Sequence, residues 1–197
     1  MIGYRVLGKS KSKTALLVHG LFSSAGFWLP YLGSFKDFRL LVVDIDYKKI
    51  CDLEGYADCP RRVIDSESSG CADVVVAHSL GTVLVNGITP KYYKSIFNIC
   101  PVYCAKRINT DKFIDQIKFR LENAVTKNEI IETLKKVDSA LRSYRGQPSE
   151  TSEPTVYIPN SDLYFSYESN SKYKFFQGDH FDISLAVRDI ESTLARI

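Results

Sequence analysis

Six short runs of β-branched and aliphatic residues, set apart by longer amphipathic or polar segments, constrain this 197-residue chain more than any other feature. They are Ala15–Val18, Leu40–Val43, Asp73–Ala77, Ser95–Ile99, Thr155–Ile158 and Lys174–Phe176. Runs this short and this apolar suit strands buried on both faces, and the helical patterns between them suit parallel pairing through crossover helices. The expected fold class is therefore α/β, a mostly parallel sheet with helices on both faces. Tyr4–Leu7 would add an antiparallel edge strand. Apolar residues at helical spacing in Gly26–Phe35, Leu80–Ile88 and Ile183–Ile197 mark crossover or terminal helices. The polar stretch 52–70, with Gly55, Pro60 and several serines, reads as a short helix or loop.

Between Thr110 and Tyr144 the rhythm breaks. One long helical pattern (Phe113, Ile114, Ile117, Leu121, then Ile130, Ile131, Leu134, Val137, Leu141) replaces strand alternation and implies a helical hairpin inserted into a single domain. Gly146–Pro154, rich in Pro, Ser and Glu, would return exposed to the sheet. The composition, 45% hydrophobic and 25% charged, is that of a globular protein. No apolar run reaches signal-peptide length or the roughly 20 residues of a membrane span, so a cytoplasmic address is expected. Cys51, Cys59, Cys71, Cys100 and Cys104 are odd in number and form no CxxC pair, which favours reduced structural thiols over a disulfide framework or a zinc site. A net charge of +3 with no basic run argues against a nucleic-acid surface.

A hydroxyl is a poor nucleophile at neutral pH unless an imidazole takes its proton and a carboxylate holds that imidazole. Asp73-Val-Val-Val-Ala-His-Ser-Leu-Gly-Thr-Val-Leu-Val runs from a strand through a turn at Ser79 into a helix. Ala77 and Gly81 keep that turn nearly free of side chains, so that helix and strand can approach closely. Ser79 could also be a simple helix N-cap. The pattern resembles the nucleophile elbow of the α/β-hydrolase family, Gly-x-Ser-x-Gly, with Ala77 in the first place.

Leu16-Leu-Val-His-Gly-Leu-Phe resembles the His-Gly segment by which that family presents a backbone N–H to an oxyanion. The resemblance implies an oxyanion hole from the N–H groups of Leu21 and Leu80, with Phe22 a rival to Leu21 as donor. His19 reads as a structural, hydrogen-bonding histidine. His78 lies inside the elbow, where its side chain cannot readily face Ser79, so His180, just after the last strand, is the candidate base. Asp162, soon after the penultimate strand, is the candidate carboxylate, with Asp179 and Asp182 as rivals. The chain order Ser79, Asp162, His180 is the family's, and the resemblance runs from Ala15 to the C-terminal helix except for the helical insertion.

The resemblance implies hydrolysis of a carboxylic ester or thioester through an acyl-enzyme, without metal or organic cofactor. Non-hydrolytic members of the fold, such as lyases, cofactor-free peroxidases and binding proteins, are the alternative. Leu21, Phe22 and Phe181 would line the substrate site beneath a lid at about 104–150, as in carboxylesterases of the pimeloyl-carrier methyl ester type. Ten basic and seven acidic residues give that segment +3, the charge of the whole chain. A basic lid would suit an acidic partner such as acyl carrier protein; a solvated helix face of mixed charge is the competing reading.

Overall fold

The structure is a computed structural model that describes residues 2–46, 53–121, 125–143 and 153–196. Its strands are β1 (Ile2–Leu7), β2 (Lys13–Val18), β3 (Phe38–Ile45), β4 (Ala72–His78), β5 (Tyr93–Ile99), β6 (Ala105–Ile108), β7 (Thr155–Pro159), β8 (Phe165–Tyr167) and β9 (Lys174–Phe176). Seven of them form one sheet in the order β1-β3-β2-β4-β5-β7-β9. Every pairing in it is parallel except that of β1, which runs antiparallel to β3 as expected of Tyr4–Leu7.

Side chains alternate across a strand, so each apolar run supplies both faces of the sheet. Leu16, Val18, Leu41, Val43, Val75 and Ala77 join one core cluster, and Ala15, Leu17, Leu40, Val42, Val74 and Val76 the other. Helices α1 (Leu53–Glu67) and α2 (Gly81–Asn86) supply Val63, Ile64, Val83 and Leu84 to the first cluster. A 3₁₀ helix (Ala25–Phe35) supplies Trp28 and Phe35 to the second, and α5 (Ser184–Leu194) supplies Val187 and Ile190. Each such side chain, moved fully out of water, contributes about 1.5–3 kcal/mol.

Three elements differ from the sequence expectation. The stretch 52–70 contains a full 15-residue helix, α1, with Pro60 inside it. Pro60 cannot donate to the carbonyl of Tyr56, yet the helix persists because Val63 and Ile64 are buried in the core and Arg61 pairs with Asp58 and Asp65 along the exposed side. Residues 25–35 are 3₁₀ rather than α, with Pro30 inside and the Ser24 hydroxyl accepting from the Gly26 N–H at 3.2 Å. Finally, β6 and β8 pair as a small antiparallel ribbon that no alternation in the sequence announces.

The insertion is a helical pair, α3 (Thr110–Arg120) and α4 (Lys127–Ser143). Asn109 caps the first, and Thr126 and Glu129 form a reciprocal capping box at the second. Phe113, Ile114, Ile117 and Ile130 pack with Tyr164 and Phe165 into a third, smaller cluster. Most of the expected return at 146–154 lies outside the described residues, as does Cys51. No described helix is long and apolar enough to cross a membrane.

Candidate functional site

Ser79 sits between the end of β4 and the start of α2 with φ of +53°, a left-handed backbone that costs a non-glycine residue about 1–3 kcal/mol. Its N–H donates to the Ile99 carbonyl at 2.9 Å, and its own carbonyl accepts from the Thr82 N–H at 3.1 Å and the Thr82 hydroxyl at 2.6 Å. The turn is thus pinned to β5 on one side and to the first turn of α2 on the other. A Cβ at Gly81 would lie 2.6 Å from the His19 carbonyl oxygen and 2.8 Å from that of Val18. The close approach that excludes a side chain there is therefore to the end of β2, the strand beside β4.

The ring of His180 lies against the Ser79 hydroxyl, Nε2 to Oγ 2.9 Å, and against the Asp162 carboxylate, Nδ1 to Oδ2 3.1 Å. A neutral imidazole with its proton on Nδ1 satisfies both contacts, donating to Asp162 and accepting from Ser79. The His180 and Asp162 side chains are 1% and 2% exposed, so the contacts act with little competition from water. Asp162 also accepts from the N–H groups of Tyr164 at 2.8 Å and Phe165 at 2.9 Å, and from the Tyr167 hydroxyl at 3.1 Å. Burial alone would raise its carboxyl pKa; the His180 contact and the two backbone donors outweigh burial and hold it below the usual carboxylate value. The rivals are spoken for otherwise: Asp179 accepts from the Phe181 and Asp182 N–H groups, and Asp182 from Ser184.

His19 bridges the ends of β2 and β3, accepting from the Ile45 N–H at 3.0 Å while Nδ1 donates to the Gly20 carbonyl at 2.8 Å. His78 corrects its expectation. Its ring stacks on Phe27, lines the cavity over Ser79, and donates from Nε2 to the backbone carbonyl of His180 at 2.7 Å. It thereby ties the elbow to the loop that carries the candidate base. Burial, above all, pushes the His78 imidazole well below its ordinary value, so it is neutral.

Among the described residues the N–H groups of Leu21, Phe22 and Leu80 make no backbone hydrogen bond, so Leu21 and its rival Phe22 both remain candidates beside Leu80 for an oxygen near Ser79. Leu21, Phe22 and Phe181 all line the cavity, together with Ser23, Phe27, Phe113 and Arg120, which the sequence did not single out. The cavity is closed down to about 10 Å³, room for one water molecule. Phe113, 4% exposed, is the centre of its cover: the rings of Phe165, Phe181 and Phe22 lie 5.6, 6.4 and 6.4 Å away.

No protein-family model and no curated protein matches the sequence. Solved structures do. An enol-lactonase from Burkholderia xenovorans superposes with a TM-score of 0.67 over 99% of this chain and 95% of that one, at 12% identity. Naproxen esterase from Bacillus subtilis gives 0.65 over 99% and 86% at 12% identity, and an epoxide hydrolase from Bacillus megaterium 0.65 over 99% and 95% at 14%. With the strand order and the helices on both faces, these superpositions show that the chain has the α/β-hydrolase fold.

Proposed function

We propose that the protein is a serine hydrolase that cleaves carboxylic esters or thioesters. The observation that carries this reading is the buried chain of contacts from the Ser79 hydroxyl through His180 to Asp162. Ser79 Oγ attacks the acyl carbon while its proton passes to His180 Nε2, and Asp162 stabilises the resulting imidazolium. The carbonyl oxygen, now negative, takes the N–H groups of Leu21 and Leu80. The carbon–oxygen or carbon–sulfur bond breaks, the imidazolium proton goes to the departing alcohol or thiol, and an acyl-enzyme remains. Water then attacks that ester, giving its proton to His180, and the acid leaves as Ser79 recovers its hydrogen. The superposed lactonase and esterase structures support the same class.

The helical pair α3 and α4 acts in this reading as a lid, because Phe113 and Arg120 of α3 close the cavity over Ser79. The +3 charge of 104–150 supports an acidic carrier as the bearer of the acyl group. Lys135→Glu with Lys136→Glu should then slow turnover of a carrier-bound thioester more than that of a free one.

The decisive experiment is labelling by a fluorophosphonate probe beside hydrolysis of p-nitrophenyl esters. The parent chain should label and turn over, and Ser79→Ala should do neither. Equal labelling of the two chains overturns the assignment.

A further inference from the structure

Resting on the serine-hydrolase reading, we infer that Arg120 selects substrates that carry a carboxylate a few bonds from the reacting carbonyl. Arg120 is the last residue of α3, and its guanidinium lies over the Phe181 ring, 4.4 Å from the centroid, in the lining of the cavity that holds Ser79 and His180. A guanidinium held over a ring by its carbon still has N–H groups with which to take a carboxylate in a paired hydrogen bond. Among the described residues no carboxylate lies within 4.0 Å of Arg120, whereas Arg39, Arg61 and Arg62 are paired with Glu67, Asp58 and Asp65, and Asp58.

The rest of the cavity wall is apolar or neutral. Phe22, Phe27, Phe113 and Phe181 dominate it, and the neighbouring His78 is held neutral chiefly by burial, with Arg120 among the charges that add to this. Arg120 is itself exposed, so it stands as a cation at the mouth of this lining, where it attracts an anionic group through water-screened charge and makes a neutral chain of the same length the poorer fit. Arg120 would therefore be a specificity residue that touches the substrate away from the bond being broken.

The test pairs substrates that differ only in charge. On the acyl side these are the p-nitrophenyl half-ester of adipic acid and p-nitrophenyl hexanoate; on the leaving-group side, 4-acetoxybenzoate and its methyl ester. At low salt the parent chain should favour the charged member of at least one pair by about tenfold in kcat/KM. Arg120→Gln should erase that ratio, Arg120→Lys should restore part of it, and Lys112→Gln, on the exposed first turn of the same helix, should leave the ratio as in the parent. The pair that responds tells on which side the carboxylate sits. A parental ratio near one in both pairs, or an equal loss in Lys112→Gln and Arg120→Gln, overturns the proposal while fluorophosphonate labelling of Ser79 leaves the hydrolase reading standing. Absence of labelling in the parent removes both.

Discussion

Gly20 is where the structure makes its sharpest demand on the site. A Cβ built on it would lie 2.7 Å from Ser79 Cβ, 3.2 Å from Ser79 Oγ and 3.2 Å from His78 Nδ1. Carbon atoms rest at about 3.5–4.0 Å, so Gly20→Ala must find roughly 0.8–1.3 Å of separation. The Ser79 backbone is pinned to Ile99 and Thr82, which leaves two responses. Rotation about the Ser79 Cα–Cβ bond moves Oγ but not Cβ, so either the Ser79 turn itself shifts and disturbs the 2.9 Å contact to His180, or residue 20 moves and takes the neighbouring Leu21 N–H with it. Both strike the proposed chemistry. A displacement near 1 Å in a reacting group costs about 100-fold in rate, close to 3 kcal/mol in barrier height. Overpacking should also cost about 1–3 kcal/mol of stability, which for a chain of this length lowers Tm by about 2–4 °C per kcal/mol.

Gly81→Ala is the contrast. Its Cβ would meet two backbone carbonyl oxygens, at 2.6 and 2.8 Å, where that of residue 20 meets one atom nearer than 3.0 Å, so its loss of stability should exceed that of Gly20→Ala. Thermal melts of both variants, with fluorophosphonate labelling rates at a temperature where both are folded, separate the effects. A folded Gly20→Ala chain that labels at the parental rate refutes the placement of Ser79 against residue 20.

Three further outcomes are expected. Asp162→Asn replaces an acceptor-only group with one whose NH₂ faces the donors Tyr164, Phe165, Tyr167 and His180; kcat should fall by about 10³-fold or more, and a drop under tenfold would contradict the orienting role. His19 and His78 are both lowered chiefly by burial, so between their folded values and about 6.5 the unfolded chain binds protons that the folded chain does not; stability should rise with pH from 5 to about 6.5, be complete above it, and be lost on acidification, as urea melts across that range would show, whereas a flat profile contradicts it. Ser79→Gly relieves the left-handed backbone that Ser79→Ala retains, so of these two variants the glycine one should be the more stable by about 1 kcal/mol, and the reverse order in a melt contradicts the strain.

What could be read from the sequence was whatever depends on neighbours along the chain. The β-branched runs of β2 to β5 betray burial on both faces, and Ser79, Asp162 and His180 each follow a strand closely enough for the strand to place them. Contacts made across the fold left no such trace. That His78 would hold the carbonyl of a residue 102 positions away could not be inferred from its place in the elbow, nor that Phe113 would meet the rings of Phe165 and Phe181. Pro60 hid α1 because its cost is local and visible, whereas the burial of Val63 and Ile64 that repays it is tertiary. The β6–β8 ribbon is too short to alternate, and β6 lies just ahead of the helical pattern that begins at Thr110, within the segment 104–150 read as a lid.

Backbone strain in this molecule has an address. Of the four described non-glycine residues with positive φ, three stand at or just beyond the carboxyl ends of neighbouring strands: Phe22 (+56°) after β2, Ser79 (+53°) after β4 and Cys100 (+51°) after β5. Each conformation is one that L-residues adopt only under compulsion, and the compulsion is visible in two of them. Ser79 donates to the carbonyl of Ile99, and Cys100, the next residue, donates to the carbonyl of Tyr157 on β7. The two left-handed turns are thus successive steps of one hydrogen-bonded row running from β4 to β7, the strand that leads to Asp162. Neither can relax without breaking a bond to the strand beside it. The same row that forces Ser79 out of the sheet toward His180 also fixes the direction from which Asp162 arrives, so the strained edge of the sheet, rather than any single residue, sets the geometry of the site.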